Sequence, residues 1–350
     1  MMKALSIKNA NVVEIDEVAI PQLKKDEILC RVVYTGVCGT DLAIYTGETD
    51  FVKSGQIKYP CRIGHEWSGY VVKTGEAVTK FKEGDRVVSD NGFCCRECEM
   101  CLSGQPQKCL NNKSLGTINC WDGSYAEYLV IPECHLYHLP DSISYLNAAT
   151  IEPLTIAYAG MTKFPVEGRT VAVIGTGAIG LAAMALASKM GASKVIALGR
   201  TDGKLELTKT LGATDTINIR TVDAEEEILR ITDGKGADFV VETSGAPSAS
   251  VQALKIAANM GDLALIGFYE VNPQDFPLNL IVSKSLTVKG IMGEWGLVPK
   301  IIEYMTKSGL SLESMVTRII SLENTPEYFI NHKEYHSQDI KVMVKITDAE

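Results

Sequence analysis

At 350 residues, with 46% hydrophobic and 22% charged side chains, the chain is too long for one ordinary core and too apolar to be disordered. A formal net charge of −9 excludes the basic footprint of a nucleic-acid binder, and no apolar run reaches the length of a membrane-spanning helix. The start Met-Met-Lys-Ala-Leu reads as a strand and not as a secretory leader, so a cytoplasmic, reducing compartment is expected.

In chain order, the first half is a series of short β-like runs broken by Gly, Pro and Asp: Ile28 to Tyr34, Gly69 to Lys73, Arg86 to Ser89 and Ala126 to Ile131. No long amphipathic helix interrupts them, which predicts a mainly β lobe. From Thr170 the texture changes. Apolar strands at Thr170 to Ile174, Lys194 to Leu198, Asp238 to Glu242, Leu263 to Ile266 and Ser285 to Ile291 alternate with helices at Leu181 to Met190, Asp202 to Leu211 and Ser248 to Asn259. That alternation predicts a doubly wound parallel sheet covered on both faces, an α/β fold. After about Gly293 the chain returns to mixed structure and ends in a strand at Ile340 to Ile346. The expected domains are therefore 1–152 with 293–350, and an inserted 153–292.

The most concentrated chemistry lies in the β lobe. Cys95, Cys98, Cys101 and Cys109 stand in one polar loop with the spacing C-x2-C-x2-C-x7-C, four thiols that complete a tetrahedral shell for a structural zinc. A disulfide or redox role competes with that reading, and Cys94 offers a poorer alternative register. A second candidate shell is dispersed: Cys38 in a polar turn, His65-Glu66 before a strand, and Glu152 interrupting an apolar stretch. One thiolate, one imidazole and one or two carboxylates suit a zinc with an open position.

Gly175-Thr176-Gly177-Ala178-Ile179-Gly180 follows a predicted strand and opens a predicted helix, the context in which G-x-G-x-x-G cradles a pyrophosphate. The next strand ends Gly199-Arg200-Thr201, with no acid at its tip to hold an adenosine ribose. Gly199 leaves room for a 2′-phosphate, Arg200 can pair with it, and Lys204 lies one helical turn on, so NADP(H) is expected over NAD(H).

Together these motifs resemble the zinc-containing medium-chain dehydrogenase/reductase family, the alcohol and polyol dehydrogenases. The matching string is Gly64-His-Glu-x-x-Gly69-x-Val-x-x-x-Gly75-x-x-Val78, continuing to Gly84-Asp-Arg-Val87, and the resemblance covers nearly the whole chain. It implies a GroES-like β domain with a Rossmann domain inserted before the last stretch. It makes Cys38, His65 and Glu66 catalytic-zinc residues, with Glu152 a fourth ligand or the carboxylate holding a water. It makes the four-cysteine loop the structural zinc, two zinc ions per chain in all. The activity implied is hydride transfer between NADP(H) and an alcohol or carbonyl, with zinc as Lewis acid and Thr40 accepting the substrate proton. Many relatives carry a His shortly after this Thr, where this chain has Ala43. The Gly199-Arg200-Thr201 tip resembles the family's NADP-using secondary alcohol dehydrogenases, which tend to have an aromatic residue where this chain has Ile219, beside Arg220. A polyol, sugar alcohol or secondary alcohol is the expected substrate; a 3-hydroxy amino acid and a non-catalytic zinc/NADP-binding protein are the alternatives. Trp67, Ile118, Trp121 and Trp295 are candidate pocket walls. The family also implies a homodimer or homotetramer through the strand near Ser285 to Ile291, while the acidic charge and the lack of long apolar runs leave no membrane or nucleic-acid partner expected.

Overall fold

The computed structural model describes residues 1–348 except Glu270, Trp295, His336 and Ser337, and Gln107 by its backbone alone. The candidate wall Trp295 thus lies outside the described residues. The chain folds as two units: Met1–Glu152 with Trp295–Lys307 and Val316–Glu350, and Pro153–Glu294 with Ser308–Met315. Among the described residues no helix is long and apolar enough to cross a membrane.

The first unit opens with a hairpin of β1 (Met2–Asn9) and β2 (Val12–Val18). Its turn places Asn11 at φ 60, a conformation Asn tolerates better than most side chains. There follow β3 (Glu27–Gly36), β4 (Glu66–Thr74), β5 (Arg86–Ser89), β6 (Gly92–Phe93), β7 (Lys113–Ser114), β8 (Tyr128–Pro132) and β9 (Leu136–His138). β3 is the hub, antiparallel to both β4 and β8. Its Ile28, Cys30 and Val32 pack with Val71, Val87, Leu129 and Ile131 in one buried cluster. Alternating apolar residues on strands bounded by Gly and Asp make this lobe β-rich.

The second unit carries β10 (Thr170–Ile174), β11 (Lys194–Gly199), β12 (Asp215–Asn218), β13 (Ala237–Glu242), β14 (Ala257–Leu265) and β15 (Thr287–Gly290). They form one parallel sheet in the order β12-β11-β10-β13-β14-β15. The order reverses between β10 and β13, where a doubly wound sheet opens a ligand crevice at the carboxyl ends of its strands. The helix Ala178–Lys189, buried from Gly180 to Ala187, covers the sheet with Ala, Leu and Met side chains.

One expected boundary moves. The helix predicted to reach Asn259 stops at Ile256, and β14 begins at Ala257. Ala257 pairs with Ala237 before a register shift brings Asp262 opposite Phe239, with Met260 at φ 59 in between. Ala-Ala-Asn-Met has helical propensity, and only the neighbouring strand overrides it.

The tail supplies β16 (Val316–Ser321) and β17 (Lys341–Lys345), which extend the first unit's sheet to β16-β17-β3-β4-β5-β9. β17 runs antiparallel to β3 with Met343 opposite Gly36. That register delivers Lys341 to the end of β3.

Candidate active site and metal centres

The four-cysteine loop hangs from the short β6–β7 ladder, and Cys98 caps a single helical turn, Glu99–Leu102. The ligand atoms of Cys95, Cys98, Cys101 and Cys109 lie within 4.8 Å of one another. The closest sulfur pairs are 3.5, 3.9 and 4.0 Å apart. A tetrahedron with zinc–sulfur arms of about 2.3 Å has edges of about 3.8 Å, so these spacings are compatible with a four-thiolate zinc shell. Backbone N–H groups of Cys95 and Cys98 point at the Cys109 and Cys95 sulfurs, at 3.2 and 3.3 Å. N–H groups of Cys101 and Leu110 draw the Cys98 thiol down to about 6, while burial and then Cys98 push Cys101 up to about 12. Four thiolates at these distances repel one another, and a divalent metal would offset that repulsion. Cys94 stands outside the set, with its sulfur 3.7 Å from His135 Nε2.

The dispersed candidates converge as well. β3 and β4 pair with Thr35 opposite Trp67 and Gly36 opposite Glu66, which brings the residues after β3 beside those before β4. Ligand atoms of Cys38, His65 and Glu66 consequently lie within 4.8 Å of one another. Gly36 is required by this closeness, because a Cβ there would sit 2.2 Å from Glu66 Oε2. Thr40 lies half-buried in the first turn of the helix Gly39–Thr46 that Cys38 caps. Glu152 stands outside the mutual 4.8 Å group, and Asn91 Nδ2 donates to its Oε1 at 3.2 Å. Its carboxyl is pushed up first by desolvation, against the pull of His65.

Sequence reasoning missed the residues that hold this group. Asp41 is fully buried: its Oδ2 accepts from the Cys38 backbone N–H at 3.0 Å and lies 3.0 Å from the Tyr125 hydroxyl. Its Oδ1 lies 3.6 Å from His65 Nδ1, and among the described residues each of these two buried atoms lacks a hydrogen-bond partner. A metal drawing His65 into place would let that contact tighten, the usual carboxylate–histidine support of a zinc ligand. Burial depresses His65, but Asp41 and Cys38 more than reverse this and hold its pKa well above the ordinary value. Lys341 is the second omission. Its Nζ donates to both oxygens of Glu66, at 2.9 and 2.6 Å, and to the Val37 carbonyl at 3.0 Å, all in the interior. Burial lowers Lys341, yet Glu66 raises it further, so the ammonium stays charged. Cys-Gly-Thr-Asp is a legible capping signal for Asp41, and a lysine opening an apolar strand is a legible buried charge in search of a partner.

Of the proposed walls, Trp67 belongs to the core, buried and donating to Ser89 Oγ at 2.9 Å. Trp121 is half-buried against that core, donates to the Val130 carbonyl at 2.8 Å and meets Phe93 edge-on. Ile118 is half-buried.

At the glycine turn, Gly177 caps the helix Ala178–Lys189 without a side-chain hydrogen bond, so its first N–H groups remain available to an anion. Thr176 and Ala178-Ile179-Gly180 sit on either side of that cap. β11 ends at Gly199, followed by exposed Arg200, with Thr201 capping the helix Asp202–Thr210 that carries Lys204. The nearest acid, Asp202, is held by Asn218 Nδ2 at 2.6 Å. The room expected beside Gly199 is taken, because a Cβ there would meet Thr176 Cγ2 at 2.6 Å and Leu205 at 3.1 Å. Close packing of the Thr176 and Leu205 side chains, and not phosphate, accounts for that glycine.

Residues 24–141 match the alcohol dehydrogenase GroES-like domain family, and residues 178–306 match the zinc-binding dehydrogenase family. The chain belongs to the zinc-binding alcohol dehydrogenases. It is accordingly a zinc-dependent alcohol/polyol-type dehydrogenase, with a GroES-like domain and a parallel-sheet Rossmann-like domain. Sorbitol dehydrogenase of Bacillus subtilis is 34% identical over 346 residues, covering 98% of this chain and 97% of that one. L-threonine 3-dehydrogenase of Bacillus velezensis is 37% identical over 338 residues, 94% of each. A provisionally named zinc-binding dehydrogenase from Sinorhizobium meliloti, solved with NADP, superposes with a TM-score of 0.87 at 28% identity over 99% of both chains.

Proposed function

We propose that this dehydrogenase oxidises a secondary hydroxyl of a polyol or sugar alcohol, or reduces the corresponding ketone, with NADP(H) as its partner. The observation that carries the reading is the compact Cys38–His65–Glu66 group in the GroES-like domain, braced by buried Asp41 and Lys341. Cys38 and His65 would hold the catalytic zinc. Glu66, its charge matched by Lys341, and Glu152 are the candidate carboxylate ligands, Glu152 as a fourth ligand or as the carboxylate holding a water. When bound, the zinc supplies Lewis acidity to an alcohol or carbonyl oxygen, and the nicotinamide takes or gives hydride. Thr40, two residues from Cys38, accepts the substrate proton. Cys95, Cys98, Cys101 and Cys109 hold a second, structural zinc.

The catalytic domain is assigned to 1–152 and 293–350 and the cofactor domain to 153–292. Residues 175–180 take the pyrophosphate, and Gly199, Arg200, Thr201 and Lys204 form the adenosine-ribose end. Exposed Arg200 next to an acid-free strand tip, with Asp202 held by Asn218, supports NADP(H). Exposed β15, at the edge of the sheet, supports assembly into a homodimer or homotetramer. Similarity to L-threonine 3-dehydrogenase keeps a 3-hydroxy amino acid as the second substrate reading.

Steady-state kinetics over a panel of polyols, secondary alcohols and threonine, each with NADP+ and NAD+, test both choices. The expected result is turnover of a polyol with NADP+ favoured about tenfold or more, the difference one charge-assisted pair makes. Replacement of Arg200 by Ala should erase that preference. Equal or better efficiency with NAD+ in the unmodified enzyme would refute the cofactor assignment; turnover of threonine alone would replace the polyol.

A further inference from the structure

A buried carboxylate outside both metal groups stands at the crevice of the Rossmann-like domain. Glu242, the last residue of β13, is fully buried, yet no lysine or arginine pairs with it among the described residues. Its charge is met by four donors. Oε1 accepts from the Ser244 N–H at 2.7 Å and the Ser244 hydroxyl at 2.6 Å, and Oε2 from the Gly245 N–H at 3.3 Å and the Tyr269 hydroxyl. Burial and then Glu242 push the Tyr269 phenol up, so it stays a donor.

These donors come from two loops at the carboxyl ends of adjacent strands. Ser244 and Gly245 follow β13; Tyr269 follows β14. The loops touch without slack: a Cβ on Gly267 would lie 2.1 Å from Gly245 N, and one on Gly245 would lie 2.4 Å from Phe268 O. The Ile266 and Gly267 N–H groups both donate to the Glu242 carbonyl, at 2.8 and 3.1 Å. On the other side, Thr243 donates through its N–H and its hydroxyl to the Ile174 carbonyl at the end of β10, both at 2.9 Å. β10 and β13 flank the point where strand order reverses. The glycine turn after β10 and the β11 tip belong to the pyrophosphate and the adenosine side. A dinucleotide lying across the crevice therefore puts its other half over β13 and β14.

We propose that Glu242 and Tyr269 are positioning residues for the nicotinamide half of the cofactor: carboxylate and phenol lock the loops after β13 and β14 together as one preformed wall of the crevice. This rests on the dinucleotide reading above. A wall fixed in advance spares the cofactor the ordering of two loops on binding. The lock acts on one half of the ligand, so it predicts a selective loss.

Tyr269→Phe, in the zinc-loaded full chain, is titrated by calorimetry with the dinucleotide and with its adenosine fragment, adenosine 2′,5′-bisphosphate for NADP+ or ADP for NAD+. The dinucleotide dissociation constant should rise about tenfold, the effect of one hydrogen bond to a charged group, while the fragment changes less than about twofold. Glu242→Gln should act in the same direction and more strongly, since its amide N–H₂ faces donors. Equal losses for both ligands, as a general structural role would give, or no loss for either, overturn the proposal. Hydrogen exchange on the unmodified enzyme needs no variant. Residues 243–246 and 267–269 should gain protection with the dinucleotide and not with the fragment; equal protection by both overturns the proposal. Unmodified protein that binds neither dinucleotide would instead refute the cofactor reading on which this rests.

Discussion

Lys341 and Glu66 form an ion pair in the interior, each at most 3% exposed, beside a metal-ligand group. Removing one partner of such a pair leaves an uncompensated buried charge, a loss of about 3–5 kcal/mol, whereas replacing both is far milder. Lys341→Met should therefore lower unfolding stability by about 3 kcal/mol, and adding Glu66→Gln should restore most of it. Urea denaturation of the two variants checks this; a single variant as stable as the double would show that the pair is not coupled. His135, outside both proposed zinc sets though beside Cys94, offers a pH-dependent case. Burial lowers it, but Asp90, with Nδ1 to Oδ2 at 3.7 Å, and then Cys134 raise it to about 10. The folded protein thus binds this proton more tightly than the unfolded chain does. Its contribution is complete below about pH 6.5 and is lost as pH rises toward about 10. Cys134, which His135 draws down against burial, carries the opposite slope, and Cys94 also faces the imidazole. In a Cys134→Ser background, stability should fall between pH 7 and 10, and Asp90→Asn should flatten that fall. A profile unchanged by Asp90→Asn would contradict the assignment.

At the level of elements, the loop 94–109 has little apolar content to fold around, and its geometry comes from sulfur and backbone N–H groups. Thiolate metal binding is then folding free energy. Cys98→Ser should reduce thermal stability and soluble yield before it alters the KM for substrate; calorimetry and metal analysis together decide, and an equally stable variant with unchanged zinc would sink the structural role. This loop was legible from spacing alone, as were the glycine turn and most strands of the parallel sheet, because each is local. The start of β14 is not legible locally, because Ala257 to Met260 suits a helix until Ala257 pairs with Ala237. Cys38, His65 and Glu66 were named from their motifs, but their support was not. Lys341 reaches Glu66 only through the pairing of β17 with β3. Asp41 could have been read as a helix cap, though its approach to His65 depends on the β3–β4 register. The space beside Gly199 suggests phosphate in the sequence, but Thr176 fills it, a contact made by the turn after a different strand.

For the molecule as a whole, the two proposed zinc ions have separate tasks: one in the four-cysteine loop would maintain the fold, and one at Cys38 and His65 would serve the reaction. A ligand set with an open position contributes less to folding than a closed shell, so the two should be separable by substitution. Zinc content and turnover measured on the same preparations of wild type and Cys38→Ser test this most directly. Wild type should carry about two zinc ions per chain, and Cys38→Ser about one, still folded and still binding the dinucleotide, with turnover reduced at least about a thousandfold. A Cys38→Ser protein that keeps both zinc ions and most of its turnover would contradict the account.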